Sequence, residues 1–209
     1  MKKSIDPNFE STKDAYFFAI SLITPRPIAF ITSLNESGSV NAAPFSYFNG
    51  ISTKPPLFTV SIANKRKVLK DSAKNILREK EFCINFIDEP MAQAVTISAA
   101  DFKEEESEMD YNGLTLEASE LIKTPRIKES PAVLECKLKE NLTHFGDFNL
   151  IIGEVMRYQV EEKLIDKETG YIKTKEAKFL GRLGGEDFCR LGEIITVKRK
   201  KVSEYNKIT

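Results

Sequence analysis

The sequence predicts a mainly β chain with helical additions, a β-barrel carrying two or three helices. Three observations predict it. Short β-branched and apolar runs recur at close spacing, and turns rich in Gly and Pro separate them. The hydrophobic period switches from strand-like to helix-like in only a few places.

Taken in order, the chain starts with a polar leader and the cluster Asp14-Ala15-Tyr16-Phe17-Phe18-Ala19-Ile20, which reads equally as a short helix or as an edge strand over the barrel end. Residues 28–34 are apolar and β-branched. They follow Pro25 and Pro27 and stop at the polar turn Asn35-Glu36-Ser37-Gly38, as a strand entering a hairpin does. The return strand, 39–44, carries Pro44, which has no N–H for a ladder and so ends the strand or places it at an edge. A third strand is expected over 57–62. From Leu69 to Glu79 the period becomes helical, with Ala73, Ile76 and Leu77 on one face and Asp71 or Ser72 placed to cap the N-terminus. Phe82, Ile84 and Phe86 then alternate with Cys83, Asn85 and Ile87 in a strand. Met91 to Ile97 is a short helix, and the carboxylates of 101–110 mark a solvated acidic connection rather than a metal site.

In the second half, Leu134, Cys136 and Leu138 alternate with Glu135, Lys137 and Lys139, giving a buried and a wet face. Phe148 to Val155 forms another strand, in which Gly153 marks a bulge or a close backbone approach. A charged loop turns at Thr169-Gly170, a Gly-rich segment runs from Phe179 to Phe188, and Ile194-Ile195-Thr196-Val197 is expected to close as the last strand. With no repeat, low-complexity tract or linker, residues 1–209 are expected to form a single domain.

Composition excludes several classes. Lys and Arg balance Asp and Glu at a formal net charge of zero, so no nucleic-acid or acidic-membrane partner is implied. The one basic run, Lys198-Arg199-Lys200-Lys201, has no interleaved aromatics and reads as a solvated tail. No leader or membrane-length apolar run is visible, and the three cysteines lack C-x-x-C spacing. A cytoplasmic chain without disulfides or zinc is the expectation. There is no G-x-G-x-x-G, Walker A or H-E-x-x-H sequence.

Two segments carry chemistry. Past Pro44 the chain is small, polar and aromatic by turns (Phe45-Ser46-Tyr47-Phe48-Asn49), an order suited to a flat ligand with polar edges and unneeded by a packed core. Further on, Lys65, Arg66, Lys67 and Lys70 precede a helix start at Asp71-Ser72. Unsatisfied N–H groups at a helix N-terminus, cations and the hydroxyls of Ser61 and Ser72 suit a dianionic phosphate.

These residues bear a family resemblance. Arg26 to Ser52, Pro55-Pro56, Val60-Ser61-Ile62 and Lys70-Asp71-Ser72-Ala73-Lys74-Asn75-Ile76 together resemble the flavin reductase-like, FMN-binding split-barrel proteins, above all their flavoredoxin branch. The resemblance runs roughly from Leu22 to Lys198. It implies a six-stranded Greek-key split β-barrel, a homodimer whose interface borders the flavin, and FMN rather than FAD as cofactor. Lys70, Asp71 and Ser72 stand where the family has Lys-Asp-Thr, with Lys65, Arg66 and Ser61 beside them. Arg26, Pro27, Thr32 and Ser33 on the first strand, with Asn41, Ser46, Tyr47, Phe48 and Asn49 on the return, would surround the ring. Tyr47 and Phe48 are candidates to cover a ring face; backbone N–H groups of 46–49 are candidate donors.

The implied activity is flavin-dependent oxidoreduction, with NAD(P)H giving hydride to flavin N5 and electrons passing to a small-molecule substrate or protein acceptor. The alternative is an FMN electron carrier of the flavoredoxin kind, with a protein redox partner and little direct NAD(P)H activity. No protein acid or base is assigned, because the cofactor carries the hard step. Two departures bear on the choice. Gly146-Asp147-Phe148 stands where many family reductases have Gly-Asp-His, which favours the carrier; the chain's single histidine, His144, lies two residues before Gly146 and reads as structural or exposed in preference to a displaced substitute. Phe188 stands where the family often has Tyr after the Gly-Gly pair, and Arg182, Gly184 and Phe188 are further candidates to approach the flavin.

Overall fold

Alternation of side chains over residues 28–31 sets the architecture: Ala29 and Ile31 join one apolar cluster, while Ile28 and Phe30 join another on the opposite face. The computed structural model describes residues 1–102, 106–143, 146–199 and 201. In chain order the elements are α1 (Thr12–Leu22), β1 (Arg26–Pro27), β2 (Ala29–Leu34), β3 (Val40–Phe45), β4 (Phe48–Thr53), β5 (Pro56–Ala63), α2 (Asp71–Glu79) and β6 (Glu81–Asn85). They continue with α3 (Ala92–Ile97), α4 (Met109–Asn112), β7 (Leu116–Glu117), β8 (Arg126–Ile127), β9 (Ala132–Leu142), β10 (Phe148–Val160), α5 (Thr174–Ala177), β11 (Gly181–Arg182) and β12 (Phe188–Cys189).

The main sheet has seven antiparallel strands in the order β3-β2-β6-β9-β10-β5-β4. This corrects the six-stranded Greek-key barrel expected from the sequence. β3 and β4 are the free edges and no ladder joins them, so the sheet stays open and the fold is mixed α/β around a large antiparallel sheet. Closure would require β3 and β4 to pair along their outer edges. Pro44 brings no N–H to such a ladder, and β4 shifts register between Gly50 and Ser52. Pro44 itself sits opposite Phe30 within β3, the edge-strand alternative.

Helix α2 covers one face. Its Ala73 and Ile76 pack with Ile31, Phe48, Ile62 and Ile84, while Met91, Val95, Ile127 and Leu180 cover Ile28 and Phe30 on the other. Gly153 combines both anticipated roles: the β9–β10 register shifts there, and an added Cβ would lie 2.6 Å from the ring of buried Phe82.

Three further expectations change. The cluster after the leader is a helix, α1, whose N-cap hydroxyl on Ser11 accepts the Asp14 N–H at 3.3 Å. Ile194–Val197 does not form a closing strand: the residues have no regular secondary structure, and Ile195 and Val197 are 82% and 83% exposed. β-branched residues favour a pleated, half-buried surface, and no strand edge is paired with this run among the described residues. Finally, the N-cap of α2 is Lys70, not Asp71 or Ser72, and no side chain caps the helix. Among the described residues no helix is long and apolar enough to cross a membrane.

Candidate functional site

The end of β3 is a ridge on which three cavities meet. Pro44 and Phe45 line all of them, with volumes of about 500, 190 and 630 Å³. The two larger cavities also share Lys70 and lie side by side between the α2 N-terminus and Tyr47. Ligand sites generally fall in the range of roughly 300–1,000 Å³.

The 500 Å³ arm is the cationic end. Lys65, Arg66, Lys70 and Lys74 line it around the first turn of α2. Because Lys70 offers no capping side chain, the leading N–H groups of α2 lack a side-chain acceptor. Ser72 is 2% exposed, and its hydroxyl accepts from the Asn41 amide at 2.9 Å. A hydroxyl has one proton and two acceptor positions, so the Ser72 proton remains to be given to another group. The partners are held in turn: Asn41 also reaches Ser33 Oγ at 3.4 Å, and Asn75 donates to Ser33 Oγ at 3.2 Å and to Asn35 Oδ1 at 2.7 Å.

Arg66 and Lys67 have φ of 51° and 66° and sit between Lys65 and Val68, which exchange both backbone hydrogen bonds. Positive φ at both central residues is the I′ arrangement that Asn-Gly normally fills. Non-glycine residues there hold backbone strain, a feature found at ligand clamps. Lys65 is also paired with Asp101 at 2.8 Å, a contact that holds this carboxyl below its ordinary value.

Three acids line the same arm, Asp71, Asp101 and Glu108, and Glu108 is the buried one. Glu108 is 8% exposed, and its Oε2 accepts the Ala42 N–H at 2.9 Å. Burial pushes its pKa above the ordinary carboxylate value despite that hydrogen bond, with Asp71 adding in the same direction. This corrects the solvated reading of the acidic connection for Glu108; Glu104 and Glu105 lie outside the described residues. The Ser107 hydroxyl donates to Val40 O, tying the segment onto β3.

The 630 Å³ arm is more aromatic. Tyr16, Tyr47 and Phe148 line it together with Ser46 and Ser61, and the Tyr47 ring centre lies 6.4 Å from those of both Tyr16 and Phe148. Burial raises the Tyr47 pKa, Tyr16 adds to this, and Arg26 opposes it. Tyr16 and Phe148 were not among the predicted site residues.

The remaining predicted residues lie elsewhere. Phe48 is core, stacked on Phe58 at 5.7 Å. Its placement corrects the reading of Phe48 as cover for a ring in the cleft. Asn49 is exposed and accepts from the Gly50 N–H. Thr32 is fully buried, donates to Pro125 O at 2.7 Å and lines none of these cavities. Ser33 supports Asn41 from behind. Pro27 is exposed in β1. Arg26 is buried and donates to Ile20 O, Ile23 O, Leu183 O and Ser46 Oγ, joining α1 to the Gly-rich segment and orienting Ser46. His144 lies outside the described residues.

The uncapped helix turn, its hydroxyl and its cations fit a phosphate monoester, and the aromatic arm fits a flat ring joined to it. Residues 21–177 match the family described as flavin reductase like domain. The uncharacterised protein YwrF of Bacillus subtilis is 38% identical over 90% of this chain and 95% of its own. Among solved structures, nitrilotriacetate monooxygenase component B from Bacillus cereus is 36% identical, with a TM-score of 0.89 over 94% of this chain and 99% of its own. The 2-nitrobenzoate 2-nitroreductase NbaA of Pseudomonas fluorescens is 32% identical, with a TM-score of 0.87 over 96% and 98%.

Proposed function

The chain belongs to the flavin reductase-like family, and on that premise we propose that it is an FMN-binding electron carrier of the flavoredoxin kind, acting with a protein redox partner as a homodimer. Flavin-dependent oxidoreduction or electron carriage is the general function of the family. The observation that carries the narrower reading is Phe148, which lines the aromatic arm 6.4 Å from the Tyr47 ring, where many family reductases have an imidazole. A phenyl ring neither donates a hydrogen bond nor carries charge, so this position gives a nicotinamide amide no polar partner.

In this reading the α2 N–H groups, the Ser72 hydroxyl and Lys70 hold the phosphate, with Arg66 available for bidentate contact. The Lys70 ammonium lies 5.9 Å from the Phe45 ring centre, and both residues line both arms. Tyr47, Tyr16 and Phe148 wall the ring and keep water from its faces. Ser46, held by Arg26 Nε at 3.2 Å, offers a hydroxyl at the ring's polar edge. Bound FMN would supply the redox chemistry, accepting and releasing electrons at its ring system.

A second reading keeps NAD(P)H as direct hydride donor. The names of the relatives favour it: one is a nitroreductase, and another is a component of a monooxygenase. Anaerobic titration of the FMN-loaded protein separates the two. The carrier reading expects bleaching with dithionite or a reduced protein donor and at most slow bleaching with NADH or NADPH. Rapid stoichiometric bleaching by either nicotinamide would overturn it in favour of the reductase.

A further inference from the structure

The phosphate arm holds acids as well as cations, and only some of them are matched. Asp101 meets Lys65 at 2.8 Å and Asp71 meets Lys74 at 3.1 Å. Glu108 lines the same cavity and forms no ion pair among the described residues. We propose that Glu108 couples anion binding to the uptake of a proton: the arm holds a phosphate tightly while this carboxyl is protonated and loosely once it ionises. The inference deepens the flavin reading and rests on its placing of the phosphate in this arm.

The fold keeps this carboxyl where an incoming charge is felt. Its Oε2 accepts the Ala42 N–H at 2.9 Å, and the neighbouring Ser107 hydroxyl donates to Val40 O, so two bonds to β3 hold the segment against the cavity. An ionised carboxylate and a dianionic phosphate in one cavity repel, and a buried group is poorly screened by water and salt. A proton on the carboxyl removes that repulsion and supplies an O–H donor for a phosphate oxygen. Burial already favours the neutral form; the Ala42 N–H opposes this, and the Asp71 charge adds to it.

Other charges share the cavity with Glu108. The start of α2 brings Lys70, Asp71 and Lys74, the strained turn brings Lys65 and Arg66, and the segment after α3 brings Asp101. β3 brings Asn41 and Ala43, which do not ionise, and Glu106 and Asp110 flank Glu108 in its own segment. A Glu108 variant keeps all of these, so comparison with wild type isolates one proton. The sign is fixed: affinity is full below the Glu108 pKa and falls as pH rises through it. The phosphate's own second ionisation, at about pH 6, acts the other way, since it creates the dianion as pH rises.

The test titrates the full chain with FMN by fluorescence across roughly pH 5–8. Glu108→Gln keeps the shape of the protonated acid. At about pH 8 it should bind FMN at least about tenfold more tightly than wild type does, an advantage that shrinks towards none at about pH 5. Riboflavin, which lacks the phosphate, should show no pH dependence in the same ratio. Calorimetry of wild type in buffers of different ionisation enthalpy should show net proton uptake on binding FMN, whereas selection of the dianion by itself would release protons. An FMN ratio that stays flat with pH, or an equal pH dependence with riboflavin, would overturn the coupling and leave the flavin reading standing. Should circular dichroism show Glu108→Gln unfolded, the wild-type proton count decides: net release or no exchange would overturn the proposal. Failure of FMN to bind, with inorganic phosphate still binding and taking up a proton, would sink the flavin reading and support the coupling.

Discussion

Ser72 ends a chain of side chains that begins at Asn35 and passes through Asn75, Ser33 and Asn41. Its position in the cleft therefore depends on amides and hydroxyls drawn from β2, β3 and α2. Replacing both Lys70 and Ser72 by Ala should weaken FMN by at least about 2 kcal/mol, given charged hydrogen bonds of roughly 1.5–3 each. Fluorescence titration of FMN reads this directly, and unchanged affinity would place the phosphate elsewhere. Glu108 makes a separate prediction. Its pKa is raised in the folded state, so the native protein keeps this proton to higher pH than the unfolded chain does. The stability it adds is full below the ordinary carboxylate pKa and is lost as pH rises through the raised value. Glu108→Gln should remove that dependence, so that stability relative to wild type grows with pH and levels off above the raised pKa. Thermal melts over a pH series give the slope; parallel curves would refute it. Lys70, Ser72 and Asn41 were legible because cations, hydroxyls and amides clustered near a helix start. Glu108 was hidden because a carboxylate inside an acidic run resembles solvated surface until the fold turns it inward.

Among the elements, the turn joining β5 to α2 is the most strained, with Arg66 and Lys67 both left-handed. Lys67→Gly should stabilise the protein by about 1 kcal/mol, because a left-handed non-glycine residue costs roughly that much. A chemical denaturation midpoint at or below that of wild type would count against this. Gly153 predicts the opposite sign. A methyl there would meet the Phe82 ring at 2.6 Å inside the sheet, and Phe82 is 1% exposed. Gly153→Ala should cost about 1–3 kcal/mol in the same assay. Most strands were legible because alternate residues share a face, as in Asn149, Ile151, Gly153 and Val155 of β10; β9 departs from the expected wet face at Glu135, which is fully buried and accepts the Glu120 and Leu121 N–H groups. β4 was missed because its burial does not alternate: Phe48 is buried and the next three residues are exposed. Ile194–Val197 misled for the converse reason, since β-branched residues raise strand propensity without supplying a neighbour to pair with.

For the molecule as a whole, the sequence indicated which residues lie inside and which segments approach each other, but not the closure of the sheet. The barrel was read from closely spaced strands and Gly/Pro turns, and its six-stranded Greek-key form from family resemblance. What separates a closed sheet from an open one is whether two distant edges meet, and Pro44 marked β3 as an edge without saying whether that edge would find β4. The homodimer belongs to this scale as well. Analytical ultracentrifugation should show twice the chain mass at micromolar concentration, and a purely monomeric profile would remove it from the proposal. The ridge at Pro44-Phe45 has a further consequence. Since every compartment of the cleft abuts that dipeptide, trimming Phe45 cannot retune one compartment in isolation. Anion grip, ring seat and side chamber share a wall, so selection acting on any one of them is felt by its neighbours.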